Sequence, residues 1–452
     1  MKIALVRPNY YTHLITPPLG LGYLAAYLKQ AGFSAEIIDG LNRGLGAAEI
    51  TRLCAGADLV GINCYSAYYP QVIQLGRALK QAGKVVVIGG PHPTFLPEET
   101  LRETGADYIV LGEGEETLKE LACALDNRLP IEKIPGLFSS GSGSAKRDFI
   151  TDLDCLPFPD WQQIDPRVYK KAPHSGVVRR FPVAPITSSR GCPYSCSFCA
   201  SPQFWQRKIR FRSARNVVDE IEFLAKRFRV REIHFEDDNL TLKREHVANI
   251  CEEILRRGIK VSWATPNGIR ADTLDVELMN LMKRSGCYQL AFGIESADEG
   301  ILKHAGKEAG LEAMERAIRI ARKAGIMTQG FFIFGLPGET PQTIRSTIKY
   351  ARDSLLDKAQ FLLLDIFPGS RLWDELAGQF NPDWQRRSYQ QVSWVPLGLT
   401  AEYLQQAPAK AFRSFFRRPQ RLWKMAAMIR PGQLGFVLRR MRDFGIIPKN
   451  GK

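Results

Sequence analysis

The sequence predicts an α/β protein: a flavodoxin-like (Rossmann-like) sheet, then a partial (β/α)6 barrel, then a small helical C-terminal region. Three observations predict it. Short apolar runs alternate with segments of helical period from residue 1 to 138, the pattern of parallel strands joined by crossover helices. From 139 to 183 the composition shifts to Gly, Ser, Pro and Asp, in SSGSGSAKRDF and LDCLPFPDW, which reads as a surface loop leading into a linker. A second alternating series then fills 184–395 with six β/α units, too few to close an eight-stranded barrel. Residues 396–452 remain as a basic helical region. A chain of 452 residues suits this division, at roughly 150 residues per domain.

The first-domain strands are expected at Lys2 to Val6, Ala35 to Asp39, Asp58 to Cys64, Lys84 to Gly89 and Asp107 to Leu111, each a short aliphatic run. Between them lie helical stretches at Gly22 to Ala31, Ala47 to Cys54, Tyr69 to Ala82 and Pro97 to Thr104, and Thr117 to Ala124 follows the last strand. In such a sheet ligands sit outside the carboxyl ends of the strands, so the loops there are the functional candidates. The barrel strands are expected at Pro185 to Ser188, Glu232 to Phe235, Val261 to Ala264, Gln289 to Ile294, Thr328 to Phe334 and Gln360 to Ile366. Their helices fall at Arg215 to Arg229, Arg244 to Arg257, Asp275 to Ser285, Leu311 to Ala324, Pro341 to Asp353 and Leu372 to Gln379.

At 45% hydrophobic and 24% charged residues the composition is that of a globular protein, which excludes disordered, collagen-like and disulfide-scaffold classes. The start MKIALVRPN interrupts any long apolar region with Arg and Pro, so neither a signal peptide nor a spanning segment is expected. A reducing cytoplasm follows as the expected location, and the nine Cys are then thiols or metal ligands. Net charge is +15, but residues 1–150 carry 14 basic against 15 acidic groups while 401–452 carry 12 against 2. The excess is mostly a terminal feature, and no nucleic-acid partner is expected.

Three of the nine Cys fall together in SSRGCPYSCSFCA: Cys192, Cys196 and Cys199. Three soft ligands at this spacing, in a Gly- and Pro-bearing loop after a strand, form a chelating arrangement. Structural zinc usually wants four ligands, and no obvious fourth lies close in sequence. An iron–sulfur cluster held by three thiolates keeps one iron open for a substrate or cofactor.

The Cys192-x3-Cys196-x2-Cys199 motif, with Phe198 before its third Cys, resembles the signature of the radical S-adenosylmethionine enzymes. The resemblance implies a [4Fe–4S] cluster whose open iron binds the methionyl amino and carboxylate groups, and reductive cleavage to a 5′-deoxyadenosyl radical. It also implies an electron donor such as flavodoxin or ferredoxin. Further S-adenosylmethionine contacts follow by position. Glu236, Asp237 and Asp238 in HFEDDN are candidates for the methionyl amine, with one of the three expected to serve. Arg270 is placed to neutralise the carboxylate, Glu295 and Ser296 in FGIES to reach ribose or methionyl groups, and Gly335 and Pro337 in FFIFGLPGET to approach adenine. Gly191 is expected to allow backbone close to the sulfides.

The first domain has no G-x-G-x-x-G after its first strand, which argues against a dinucleotide. Its segments TPPLGLGYLAAYL, NCYSAYYP, VIGGPHPT and LGEGEET resemble the cobalamin-binding domain of one branch of these radical enzymes. That resemblance places Ser66, Gly89, Gly90, Pro91, Gly112 and Glu113 under a flat corrin. The Asp-x-His-x-x-Gly loop of domains that ligate cobalt from below is absent. His13 lacks its neighbours and His92 reads as structural, so a corrinoid without a protein His ligand is expected.

The function implied is a cobalamin-dependent C-methyltransferase acting on an unactivated carbon of a small or lipid-like molecule. A cyclisation, oxidative ring closure or rearrangement with the same layout stays open, and a non-catalytic corrinoid sensor is the remote alternative. A methylthio-transferring tRNA enzyme is disfavoured because Cys54, Cys64, Cys123 and Cys155 are scattered. In the tail, Phe412, Phe415, Phe416, Leu422 and Trp423 interleave with Arg and Lys, and Pro419 and Pro431 break it into three short helices. Packing on the barrel and peripheral membrane association are the competing readings.

Overall fold

The computed structural model describes residues 1–12, 15–141, 145–169, 178–385, 389–429, 433–435 and 438. The first sheet contains β1 (Lys2–Arg7), β2 (Ser34–Asp39), β3 (Leu59–Asn63), β4 (Val85–Gly89), β5 (Tyr108–Val110) and β6 (Leu137–Phe138), in the order β2-β1-β3-β4-β5-β6. Five strands are parallel, and β6 joins β5 antiparallel. The order reverses between β1 and β3, the switch point at which doubly wound sheets bind ligands. The two-residue β6 was not expected, since no periodicity marks so short a strand. Helix Tyr69–Gln81 shows why the layers form: Tyr69, Val72, Leu75, Gly76 and Leu79 recur on one face and are buried, an apolar stripe that must lie on the sheet.

The second sheet opens with β7 (Val183–Ile186), followed by a small antiparallel pair, β8 (Ser189–Arg190) and β9 (Arg210–Phe211). It continues with β10 (Glu232–Phe235), β11 (Ser262–Ile269), β12 (Cys287–Glu295), β13 (Met327–Phe334) and β14 (Lys358–Leu363). All six barrel strands are parallel, in the order β14-β13-β12-β11-β10-β7. Alternation along β13 separates the lumen from the outer layer. Gln329, Phe331 and Ile333 line a cavity, while Phe332 and Phe334 are wholly buried behind it.

Within the stretch read as a surface loop and linker, residues 145–169 form an ordered strap instead. Leu153, Leu156, Trp161 and Ile164 are buried. Gln163 bonds the edge of β2, accepting from Ile37 N at 2.7 Å and donating to Ala35 O at 3.0 Å. Trp161 Nε1 donates to Glu220 Oε1 on the barrel at 2.9 Å. Gly22 is glycine for this strap, because a Cβ there would sit 2.6 Å from Ile164 Cδ1 and 2.9 Å from Pro159 Cβ. One apolar core accordingly runs from Ile3 through Trp161 to Phe415.

The first part of the tail packs on the barrel, one of its two competing readings. Helix Ala401–Phe415 buries Leu404, Ala407, Ala411 and Phe415, and its Gln405, Pro408, Ala409 and Phe412 wall the cavity beside β14. Arg421 is buried and donates to the carbonyls of Phe415 at 2.8 Å and Ser354 at 2.7 Å, satisfying the C-terminal ends of two helices rather than facing solvent. Helix Pro419–Met428 leaves Trp423 76% exposed and Leu422 52% exposed. The third helix, expected beyond Pro431, falls largely outside the described residues. No described helix is long and apolar enough to cross a membrane.

Candidate functional site

A cavity of about 1590 Å3 runs between the two sheets and down the barrel lumen. Its first-domain wall is made by the loops after β1, β3, β4 and β5: Tyr10, Tyr65, Ser66, Gly89, Gly90, Pro91, Gly112 and Glu113 all line it. Gly90 stands at φ 123°, and a Cβ would collide with the Cys64 carbonyl, so the turn can bring bare backbone to the cavity only as glycine. Small residues here leave a broad shallow face suited to a flat macrocycle. His92 takes no part in that face. Its ring is buried, lies 3.9 Å from the Tyr69 ring centroid, and its Nδ1 pairs with Ser66 Oγ at 2.9 Å. Of the described histidines only His234 lines the cavity, at the far floor of the lumen, and His13 lies outside the described residues.

Opposite stands the cysteine loop after β8. Ser197 N donates to Ala305 O and Leu372 N donates to Ser197 O, both at 2.9 Å, so the loop is pinned between two helical segments. Cys199, with Phe198, lies on the cavity wall. Burial pushes Cys192 up to about 11 and Cys199 up to about 12, so these thiols stay protonated until a metal displaces the proton. Among the described residues no three His, Cys, Asp or Glu side chains converge as ligands of one ion; thiolates of a multi-iron cluster each take a different iron, which is the case that suits this loop. Gly191 does allow a close backbone approach, but to the Lys208 carbonyl of the β8–β9 pair.

Around the loop, side-chain alternation sorts the expected acidic residues. Glu236 and Asp238 line the cavity, whereas Asp237 turns inward. Its Oδ1 accepts from Ser188 Oγ at 2.7 Å and Ser189 Oγ at 2.5 Å, tying β10 to the cysteine loop's root. Desolvation by the surrounding walls raises the pKa of Asp238, whose carboxylate is open to the cavity. Glu295 ends β12 at φ 66° and lines the cavity, with its Oε1 3.1 Å from Lys307 Nζ. Burial lowers the pKa of Lys307, but Glu295 and the Cys196 sulfur outweigh it and hold it above the ordinary lysine value.

The remaining expected residues sit behind the wall. Ser296 is buried, and its Oγ pairs with Thr347 Oγ1 at 3.3 Å. Arg270 chelates Asp272, with Nε to Oδ1 at 3.0 Å and Nη2 to Oδ2 at 2.5 Å, and lies 3.7 Å over the Tyr194 ring. Gly335 N donates to Glu339 Oε2 at 2.6 Å, so that turn, with Pro337, is closed on its own helix start.

Two features were missed from the sequence. Lys307 lies in an unremarkable KHAGKEAG run with nothing to mark burial. The second is the seam between the sheets, where Glu113 accepts from Arg190 Nη1 at 2.7 Å, Arg210 Nη1 at 2.8 Å and Ile150 N at 3.0 Å. Glu115 takes Arg190 Nη2 at 2.7 Å. The Glu113 carboxylate thus serves the seam as well as the cavity wall.

This geometry, a switch-point platform facing a three-cysteine loop over an open barrel, defines an enzyme class with two cofactor sites. Residues 186–351 match the Radical SAM superfamily and residues 11–122 the B12 binding domain. The chain is 33% identical to an uncharacterised methyltransferase of Pyrococcus horikoshii, with 94% of each covered. It is 31% identical to the anaerobic magnesium-protoporphyrin IX monomethyl ester cyclase of Rubrivivax gelatinosus, over 83% of this chain and 70% of that one. The solved radical S-adenosylmethionine methyltransferase TsrM of Kitasatospora setae, with cobalamin and a [4Fe-4S] cluster bound, shares the fold at a TM-score of 0.71 and 20% identity, covering 96% of this chain and 90% of that. The chain belongs to the cobalamin-dependent radical S-adenosylmethionine enzymes, the family of these methyltransferases and cyclases. Its cofactors are accordingly a [4Fe–4S] cluster, S-adenosylmethionine and cobalamin.

Proposed function

We propose that the chain methylates an unactivated carbon of a small molecule held in the barrel lumen. The observation that carries this reading is the single cavity shared by the first-domain loops, Cys199 and the lumen. Bound there, the cluster and S-adenosylmethionine supply hydrogen abstraction, and cobalamin supplies the methyl group. Cys192, Cys196 and Cys199 hold the cluster. Glu236, Asp238 and the Glu295–Lys307 pair present opposite charges to a zwitterionic methionyl group, replacing the water it leaves. Phe198 packs beside it, while Asp237, Arg270, Ser296, Gly335 and Pro337 position these groups from behind. Ser66, Gly89, Gly90, Pro91, Gly112 and Glu113 support the corrin. Phe331, Ile333 and Leu362 give the lumen an apolar wall that keeps water from a reactive carbon.

The reaction needs a reductant, for which flavodoxin or ferredoxin is the proposed donor. Exposed Trp423 and Leu422 beside basic residues support peripheral contact with a membrane. The test is anaerobic reconstitution with S-adenosylmethionine and cobalamin, reading product mass. A gain of one methylene unit is expected. A product with a new ring and no added methylene unit would favour the cyclase reading that the Rubrivivax relative supports, and activity indifferent to corrinoid would overturn both.

A further inference from the structure

The floor of the lumen carries charge that the cofactor sites leave unused. Lys358 opens β14 and lines the cavity, where its Nζ donates to Gln289 Oε1 at 2.6 Å. Strand register sets its neighbours: Gln329 lies opposite Lys358, Gln289 opposite Ala264, and Ala264 opposite His234. The nearby acids are already engaged. Glu232 Oε1 accepts from Tyr288 OH at 2.6 Å and pairs with His234 Nε2 at 2.9 Å, while its Oε2 takes Arg180 N at 2.6 Å. Asp357 pairs with Lys424 at 2.5 Å and accepts from Thr328 N at 3.0 Å.

Among the described residues no carboxylate lies within ion-pair distance of Lys358. Burial pulls its pKa down to about 8, and the more distant Glu232 and Asp357 only partly offset this. A half-buried ammonium on a cavity wall, desolvated by its surroundings and without a counter-charge beside it, destabilises a fold, so its presence there points to a ligand that brings the charge.

We propose that Lys358, with the amides of Gln289 and Gln329, binds a carboxylate carried by the substrate. The inference rests on the lumen being the substrate chamber. One ammonium balances one carboxylate, whereas a phosphate monoester carries about −1.5 to −2 and would leave charge unmet. Lys358 and Leu362, at floor and rim, are four residues apart on one strand, roughly 13 Å at the strand rise. The substrate class is therefore a carboxylic acid whose reacting carbon lies about that far from its carboxylate, along a wall of Gln360, Phe331 and Ile333.

Calorimetric titration of the cluster-loaded full chain with decanoate, decyl phosphate and decanol tests this without reading methyl transfer, so failure of the proposed reaction and failure of the subsite are separate outcomes. Decanoate is expected to bind more tightly than both other probes. Lys358→Met should weaken decanoate about tenfold, leave decanol within about twofold, and raise the thermal midpoint by removing the unpaired charge. Gln329→Leu provides a second variant, expected to weaken decanoate about threefold. Decanoate that fails to bind, binds no better than decanol or decyl phosphate, or binds both variants as tightly as wild type overturns the subsite. A lowered midpoint with unchanged decanoate affinity assigns Lys358 to structure alone, and also overturns it.

Discussion

The two walls of the cavity are built from different chemistry. The barrel wall is ionic, with Asp238, Glu295 and Lys307, whose side chain is 9% exposed, gathered around three half-buried thiols. The first-domain wall is mostly backbone and small neutral side chains, Ser66, Gly89, Gly90, Pro91 and Gly112. The difference follows from what each wall has to replace. A small charged group drawn out of water needs counter-charges at fixed positions, whereas a broad flat ring needs area and close approach. Glu113, the charged member of the neutral wall, shows the limit of that division: its carboxylate is tied to Arg190 and Arg210 across the seam.

The largest effect is expected from Cys196→Ala, which attacks the barrel wall alone. Visible iron–sulfur absorbance and 5′-deoxyadenosine formation should both be lost, while corrinoid binding, followed by its own spectrum, persists. Loss of corrinoid as well would show that the walls do not form independently. Glu113→Ala tests the seam that joins them. It strands the Arg210 guanidinium, 9% exposed, while Arg190 keeps Glu115, and breaking such a pair costs about 3–5 kcal/mol in denaturant unfolding. A loss below about 1 kcal/mol would mean that water screens the network. Gly90→Ala sharpens the contrast with least damage. The new Cβ must push the β4 loop off the Cys64 carbonyl, and corrinoid affinity should fall about tenfold, or about 1.4 kcal/mol, with iron–sulfur absorbance retained. Unchanged affinity would remove this turn from the corrin face.

Much of the site could be read directly, and the gaps have physical causes. Cys192, Cys196 and Cys199 were legible because local spacing alone makes a chelating loop. The HFEDDN run offered three carboxylates without ranking them; the chain's alternation then sent Glu236 and Asp238 to the cavity and Asp237 to Ser188 and Ser189. Lys307 was hidden because a lysine among Gly and Glu reads as solvent-exposed, and only the approach of β12 buries it beside Glu295. The strap was misread for a related reason. Its Gly, Ser and Pro content signals irregular backbone correctly, but irregular backbone can still be packed, as Trp161 and Ile164 are.

Alternating apolar runs and helical stripes, with the cysteine spacing, were enough by themselves to determine two α/β layers, an open barrel and a cluster loop, because each is a pattern within a few dozen residues of contiguous chain. The tertiary structure alone decided which charges meet. Arg190 with Glu113, Lys307 with Glu295, and Lys358 facing a cavity with no acid beside it are outcomes of strand register and domain docking. Coulomb interactions act over a few ångströms of space, and no local pattern in a sequence records which distant residues the fold brings within that range.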